Sequence, residues 1–376
     1  MLYRVLTGGA MALLSGLCGW RSARIGLGIT PDSAAYHFQL WQTHPELSAD
    51  LDMAIALNPR YTAAWIARGL KAELAGDLKT AEDNLLRAAG VDSAYLPSWT
   101  LANFYLRAGN LEGFWERAGQ AARVAPDPAA LFQLCWRASS DPVEILARAI
   151  PPTPQVRRAY LNFLLSASRF EAADSLADEF AQASQEADLD SLLRYCDAAL
   201  GRHETRHAVK IWQALSAARL IPYGEGDALP NGDLAFPPLA RGLDWRPISV
   251  EGARVSFDHP TRQMTVSLSG RQPEPCNLID RYVVLQPGVR YKFRFDYETR
   301  DLPSAEGLAW SFFDAKSDAE LLTAVVPTTG STQTLEFTVP SGCDLARLVL
   351  RYRRPPGRVR AEGSVIFRRF TLERAH

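Results

Sequence analysis

The string His203-Glu204-Thr205-Arg206-His207 has the residue types and spacing of a catalytic metal motif. On a helix, histidines four residues apart share one face, so they can bind Zn²⁺ while the glutamate acts as a base. The charges of Arg202 and Arg206 argue against this interpretation, because a buried metal helix carries uncharged residues there. We expect the string to straddle a turn and a helix start. His203 and His207 are then only weak metal candidates, and no metal or other cofactor is expected.

Two carboxylates, Asp296 and Glu298, are the next candidates for chemistry. A carboxylate pair can serve as acid and base in glycoside hydrolysis, but this spacing is not diagnostic of it. The sequence has no glycine-rich phosphate loop and no nucleophile motif. We therefore expect a protein that is not an enzyme, with a zinc hydrolase or a glycoside hydrolase as an open alternative.

Arginines are concentrated near the C terminus, at Arg351, Arg353, Arg358 and Arg360. If residues 354–357 form the turn of a hairpin, all four side chains project from one face. Like charges opposite each other destabilise a strand pair, so their excess indicates an anionic partner such as phosphate, sulfate, uronate or acidic side chains. A solvated face neutralised by nearby acids is the alternative interpretation.

The composition places the chain among ordinary globular proteins. It has 376 residues, of which 47% are hydrophobic and 22% charged, with a formal net charge of −1. These values exclude wholesale disorder and make no case for nucleic acid as a partner. The five cysteines form no CxxC motif, and pairing of Cys276 with Cys343 is left open.

A period near 34 residues organises the first half. Trp65 recurs as Trp99 after 34 residues, and Gly76 recurs as Gly109 after 33. The same period joins three alanines, Ala54, Ala88 and Ala121. This pattern resembles the tetratricopeptide repeat family, with repeats at 28–61, 62–95 and 96–129 and divergent repeats as far as 222. The resemblance implies a helical superhelix whose groove binds a protein or a peptide.

The second half changes to short strands after a linker at 223–230. In the segment Tyr291–Glu298, aromatic and charged residues alternate, which is typical of a strand with one buried face. The phrases Asn231-Gly232-Asp233 and Tyr282–Gly288 resemble carbohydrate-binding modules with a galactose-binding-like jelly roll. This resemblance implies a β-sandwich over 231–374 and polysaccharide as a ligand class.

A sugar site needs exposed aromatic rings beside polar groups. Trp245, Tyr297 and Trp310 are the candidate rings, with Asp296 and Glu298 as the polar groups. Core packing of the rings is the alternative.

Residues 1–24 hold an uncharged run between Arg4 and Arg21, typical of a signal peptide or a signal anchor. We therefore expect a multidomain protein, α then β, that is membrane-anchored or exported to the periplasmic side of the bacterial cell envelope. A cytoplasmic location is the alternative. The expected function is a scaffold that docks a protein and binds a polysaccharide or another anionic component, in surface polysaccharide assembly or export. A purely protein–protein assembly factor with a structural sandwich is the alternative.

Overall fold

The computed structural model describes residues 33–46, 48–223, 228–302, 307–327, 331–357 and 359–375. The predicted leader, 1–24, lies outside these residues, as do Arg358 and half of the predicted linker. Within the described ranges, no helix is both long and apolar enough to cross a membrane.

The first part of the described chain is helical, as the repeat pattern predicts. Consecutive helices pair into hairpins over 34–124 and again over 189–217. The helices are α1 (Ala34–Thr43), α2 (Ser48–Leu57), α3 (Thr62–Leu74), α4 (Leu78–Val91), α5 (Tyr95–Arg107), α6 (Leu111–Val124), α7 (Ala129–Ala138), α8 (Pro142–Ala149), α9 (Pro154–Ser166), α10 (Phe170–Gln182), α11 (Leu189–Gly201) and α12 (Thr205–Ala217).

The repeat is visible in the turns. Gly76 and Gly109 have φ values of 83° and 75°, the left-handed conformation that glycine adopts without strain at the end of a helix. Asp77 and Asn110 follow them, and the side chain of each accepts a backbone N–H at 3.0 Å to cap the next helix. Equivalent residues therefore end and start equivalent helices, one period apart.

Small residues at repeated positions set the packing within each hairpin. A Cβ added to Gly69 would lie 2.7 Å from the side chain of Leu85, so only glycine allows this approach of α3 to α4. Ala81 and Ala88 on α4 are fully buried. These contacts lie at the packing positions of the repeat and confirm the tetratricopeptide-like hairpins.

The chain divides into two compact units, and the boundary lies inside α9. The first unit ends at Tyr160, and the second runs from Leu161 onwards. The second unit therefore contains the last helices together with all the strands.

The strands form two antiparallel five-stranded sheets, as the sandwich prediction requires. Sheet A has the order β1-β4-β9-β6-β7, and sheet B has the order β2-β3-β10-β5-β8. The strands are β1 (Arg246–Pro247), β2 (Ala253–Asp258), β3 (Gln263–Ser269), β4 (Cys276–Val284), β5 (Arg290–Arg300), β6 (Leu308–Asp314), β7 (Glu320–Val325), β8 (Thr332–Thr338), β9 (Leu345–Tyr352) and β10 (Glu362–Arg374).

An aromatic core joins the two sheets. Phe293 and Phe295 of β5 are fully buried, and Phe293 packs edge-on against Phe312 of sheet A with ring centroids 5.0 Å apart. The alternation in β5 therefore separates a core face from a solvent face, as predicted.

The predicted arginine hairpin is wrong. β9 pairs with β4 and β6 in sheet A, whereas β10 pairs with β3 and β5 in sheet B. The segment between them crosses from one sheet to the other. Pro355 and Pro356 lie in this segment and cannot donate the hydrogen bonds of a ladder. Arg351 therefore does not face Arg360 across a strand pair.

The structure holds Cys276 and Cys343 as free thiols, so the pairing that the sequence left open is absent from the described residues.

Candidate functional site

The second unit has a cleft of about 770 Å³ between α12 and the sandwich, which we call the joint cleft. One wall comes from α12, and the other walls come from the chain around Pro230, the end of β4, and the ends of β5 and β10. Its lining residues are Trp212, Gln213, Ser216, Ala228, Pro230, Leu243, Arg281, Tyr282, Val284, Gln286, Tyr291, Leu372, Glu373 and Arg374.

A glycine sets the distance between α12 and the sandwich. Gly242 has a φ of 57°, and a Cβ added to it would lie 2.7 Å from the ring of Trp212. Its N–H donates a 2.7 Å hydrogen bond to the Asp197 carboxylate on α11. Beside it, Arg241 forms a 2.6 Å ion pair with Asp190. These contacts hold the chain that enters the sandwich against the last helical hairpin.

The helix wall is rigid because its tryptophan is held on two sides. The ring of Trp212 lies against Gly242 and stacks on Tyr223, with centroids 5.9 Å apart and ring planes 22° apart. Only 6% of Trp212 is exposed. The ring therefore contributes a fixed apolar edge to the cleft rather than a free stacking face.

Buried polar groups support the floor of the cleft. Asp244 is fully buried, and its carboxylate accepts hydrogen bonds of 2.6 Å from the Tyr223 hydroxyl and the Leu239 N–H. Burial and the Asp244 charge raise the pKa of Tyr223, which keeps the phenol protonated as a donor.

A buried arginine connects the floor with the core. Arg281 is 1% exposed, its guanidinium lies 4.6 Å from the centre of the Trp245 ring, and it donates to the Pro230 carbonyl at 2.7 Å. A cation held in this way fixes the local geometry of the floor, and its charge acts on Tyr223 together with that of the buried Asp244 carboxylate.

The lining suits a polar ligand with apolar faces. Trp212, Tyr282 and Tyr291 contribute apolar ring surface. Gln213, Ser216, Gln286, Glu373 and Arg374 contribute donors and acceptors at the solvent side. Ligand sites of this size combine apolar walls with a few polar groups that fix orientation. The arrangement can bind hydroxyl and carboxylate groups, and no nucleophile–base pair lies among its described lining residues.

The three predicted sugar-stacking rings lie elsewhere. Trp245 and Trp310 are fully buried and pack against each other with centroids 5.8 Å apart, and Tyr297 is 2% exposed. Of the two interpretations that the sequence left open for these rings, core packing is the one the structure shows, because the sandwich uses them to fill its core. None of them can stack on a sugar ring in this structure.

The two predicted carboxylates lie on the outer face of sheet B. Asp296 accepts hydrogen bonds from Thr332 at 2.7 Å and from Arg294 at 3.2 Å. Glu298 accepts from Arg368 and Arg300, and these hydrogen bonds lower its pKa. Both carboxylates are therefore ion-pair partners, and the lowered pKa of Glu298 is unlike that of a general acid.

The predicted anion-binding arginines are dispersed. Arg351 forms a 2.6 Å ion pair with Glu320 on sheet A. Arg360 instead pairs with Glu274 at 3.0 Å, a carboxylate that also pairs with Arg354 at 2.7 Å.

The remaining two predicted anion-binding arginines are Arg353 and Arg358. Arg353 is exposed beside a smaller concavity of about 390 Å³ that it lines with Arg354 and Glu274. Arg358 lies outside the described residues. The described arginines are thus partly neutralised and do not share one face.

The histidine string straddles a turn and a helix start, as predicted. His203 has a φ of 59°, lies before α12, and its Nδ1 is 2.7 Å from the Ala315 carbonyl oxygen. His207 lies in the first turn of α12 and its Nδ1 is 3.0 Å from the Glu204 carboxylate. The two imidazoles have different partners, so they do not form the paired ligand set of a catalytic zinc helix.

The first unit also carries exposed apolar side chains at helix ends, two of them at repeated positions. Leu78 and Leu111 are the first residues of α4 and α6, 33 residues apart, and are 49% and 47% exposed. Val143 at the start of α8 is 72% exposed, and Leu74 before the first turn is 77% exposed. We call these four residues the repeat edge. Single exposed leucines are normal, but their repetition along stacked hairpins indicates an interaction surface.

Sequence reasoning missed both surfaces. The repeat edge could have been found, since Leu78 and Leu111 obey the period and each follows a capping residue after a turn glycine. The joint cleft had no such signal, because its residues come from four separated stretches of the chain.

No protein-family model and no curated protein matches the chain. Among solved structures, one described as "CBM4 structure and function" is 13% identical, with a TM-score of 0.30, and covers 39% of this chain and 99% of that chain.

Two further solved structures match the helical part. PilF of Pseudomonas aeruginosa is 18% identical, with a TM-score of 0.26, over 50% of this chain and 92% of that chain. YrrB, described as a TPR protein with an unusual peptide-binding site, is 12% identical, with a TM-score of 0.23, over 50% of this chain and 87% of that chain. All three scores are low, so the fold assignment rests on the helices, sheets and repeats described above.

Proposed function

We propose that the protein is a non-enzymatic scaffold of the cell envelope. The helical repeats dock a protein partner, and the second unit binds a polysaccharide or another anionic envelope component. The observation that carries the proposal is the joint cleft, where a fixed tryptophan edge and a buried arginine lie beneath a rim of exposed donors and acceptors. The envelope location rests on the predicted leader alone. A role in surface polysaccharide assembly or export rests on combining the leader, the helical repeats and the joint cleft.

The charge of the cleft favours a ligand with carboxylate or sulfate groups. Arg374 at its exposed rim can pair with such a group beside Glu373, whereas the charges of the buried Arg281 and the buried Asp244 lie together beneath the floor. Acidic sugars present both the hydroxyl groups that Gln213 and Gln286 can bind and the charges that arginine pairs with. The cleft therefore replaces the dispersed arginines as the proposed anion site.

The repeat edge supports the protein-docking part of the proposal. A helical segment of a partner that carries apolar residues at i, i+3 and i+4 can cover spaced leucines of this kind. Beside the edge, Arg107 and Glu73 form a bidentate pair of 2.6 and 2.7 Å that links α5 to α3. This pair makes the surface rigid before a partner binds.

The experiment is electrophoresis of the full-length protein through gels that contain neutral or acidic polysaccharides, at low and high salt. Retention by acidic polymers is expected to fall at least about tenfold in apparent affinity for Arg374→Ala, since a charged hydrogen bond contributes about 1.5–3 kcal/mol. Arg369→Ala is the matched control, because Arg369 is another exposed arginine of β10 that does not line the cleft. An equal loss of affinity in both variants would indicate non-specific electrostatic binding and contradict the cleft as the binding site.

One observation favours a second function, that of a purely protein–protein assembly factor. The last helices pack on the sandwich within one unit, and the three candidate rings are buried rather than presented to solvent. In this case the sandwich acts as a rigid structural module. Absence of retention on every polymer, together with a captured protein partner, would support this function over the first.

A further inference from the structure

We infer that Asp174, Glu204 and His207 form a binding site for a divalent transition metal of the Zn²⁺ type. One potential ligand atom from each residue lies within 4.8 Å of the others. Asp174 belongs to α10, whereas Glu204 and His207 lie at the start of α12. The site therefore joins two helices of the second unit, and it is independent of the joint cleft and of the proposed function.

The set of donors suits this class of metal. One imidazole nitrogen and two carboxylate oxygens match the N/O preference of Zn²⁺, whose bonds to these atoms are about 2.0–2.2 Å long. Atoms bound to one ion at such distances lie roughly 3–4 Å apart, so small side-chain rotations bring the three together. Three protein ligands leave a further position for water or for a group of a partner.

Neighbouring groups hold each carboxylate by one oxygen. The Tyr195 hydroxyl, which is 2% exposed, donates a 2.6 Å hydrogen bond to Oδ1 of Asp174. Arg202 pairs with Oε1 of Glu204, while Oε2 of Glu204 faces His207 at 3.0 Å. Each carboxylate is therefore oriented by one oxygen and can offer the other to an ion. Such outer hydrogen bonds are how proteins fix metal ligands.

The surrounding charges favour a cation. The carboxylates of Asp174, Asp178 and Glu204 all lie near Tyr195. Lys210 neutralises Asp178 at 2.7 Å, and Arg202 lies over the Phe170 ring at 4.4 Å. A metal ion would replace the hydrogen bond between Glu204 and His207. It would also link α10 to the start of α12 through its bonds to Asp174, Glu204 and His207.

The structure also changes the sequence interpretation of the histidine string. His203 is turned toward the Ala315 carbonyl and is excluded from the site. The third ligand is Asp174, which lies 30 positions before Glu204 on a different helix.

The test is calorimetric titration of the chelator-treated full-length protein with ZnCl₂. The site predicts one saturable event per chain, weakened at least about tenfold by His207→Ala and by Asp174→Asn. Asp178→Asn is the matched control, since it makes the same substitution one turn along α10, and it should leave the affinity within about twofold. His203→Ala should do the same.

A second readout separates binding from folding. Glu204→Gln keeps the shape of the side chain but removes the charge that would bind the ion. Circular dichroism reports whether each variant is folded. Zn²⁺ should raise the Tm of the wild type and of Asp178→Asn but not that of Asp174→Asn. Titration without a saturable event in the wild type, or equal affinity of folded His207→Ala and wild type, would overturn the assignment.

Discussion

The hydroxyl of Thr205, the first residue of α12, donates a 3.0 Å hydrogen bond to Oδ1 of Asp344, which precedes β9 of sheet A. The other oxygen of Asp344 accepts a 3.0 Å hydrogen bond from Lys316. Thr205 is 1% exposed, so its hydroxyl is shielded from water, whereas Asp344 is partly exposed. This contact ties the helix that lines one wall of the joint cleft to the sheet that supplies another.

Removing this hydroxyl should destabilise the contact between α12 and sheet A. Thr205→Val keeps the volume but leaves a carboxylate oxygen without its donor, so we expect the free energy of unfolding to fall by about 1–3 kcal/mol. Urea unfolding measures this change. Thr205→Ser keeps the hydroxyl and should lose less than the valine variant; the reverse order would contradict the role of the hydrogen bond.

The same contact predicts a dependence on pH. Burial opposes the charge of Asp344, but hydrogen bonds from Lys316 and Thr205 outweigh it and lower the pKa of the carboxyl. Since the folded pKa lies below the unfolded value of about 3.9, the stabilisation is present above that value and is lost as the pH falls through the folded pKa. Thr205→Val should reduce the loss of stability between pH 5 and pH 3 measured by urea unfolding. An unchanged pH profile would show that the hydrogen bond does not contribute.

Gly242 should resist substitution more than other turn glycines do. Gly242→Ala places a Cβ against the Trp212 ring and also strains a positive φ. Gly288→Ala is the matched control, because its φ is 77° with no atom within 4 Å of the added Cβ. We expect about 1–2 kcal/mol of destabilisation for the control and about 1–3 kcal/mol more for Gly242→Ala, by thermal or urea unfolding. Equal destabilisation by the two substitutions would mean that α12 moves away from the sandwich to make room for the added Cβ.

Trp310 should behave as a core residue. Trp310→Ala removes a fully buried ring and should lower the free energy of unfolding by about 3–5 kcal/mol. Val325→Ala on the neighbouring β7 is the control, since Val325 is 51% exposed, and it should change the value by less than about 0.5 kcal/mol. A small effect of Trp310→Ala would restore the ring as a candidate for ligand stacking.

The repeat edge makes a prediction about capture of a protein. A photo-crosslinking residue at Leu78 or Leu111 should capture the same partner in cells, whereas one at Lys79, exposed beside Leu78, should capture it less. Leu78→Asp with Leu111→Asp should abolish capture and change stability by less than about 0.5 kcal/mol per site, because both side chains are already exposed. Equal capture at all three positions would contradict a defined docking surface.

The sequence was most informative where a local rule repeats. The turn glycines Gly76 and Gly109 and the alanines on α4 predicted the helical hairpins, since each position is dictated by packing against its immediate neighbour. Alternation in β5 likewise predicted which side chains face the core. In β7, by contrast, Glu320 to Val325 carries no clear alternation, because the strand lies at a sheet edge with several half-buried side chains, and the sequence did not predict it.

Contacts between distant parts of the chain could not be predicted. Arg351 and Arg360 are close in sequence, yet the crossover between sheets gives them different acidic partners. Trp245 and Trp310 are aromatic residues of the kind that binds sugars, but only the closed sandwich shows that they contact each other. The joint cleft depends on the packing of α12 against a sandwich folded from residues up to 160 positions later, which no local pattern encodes.

The most direct test of the proposed function is hydrogen–deuterium exchange of the full-length protein with and without an acidic polysaccharide at saturating concentration. We expect backbone protection to concentrate at 213–216, 284–286 and 372–374, the rim of the joint cleft, and to require a higher polysaccharide concentration in Arg374→Ala. Protection spread over the outer face of sheet B or over 351–360, or no protection with any polymer, would contradict the joint cleft as the binding site.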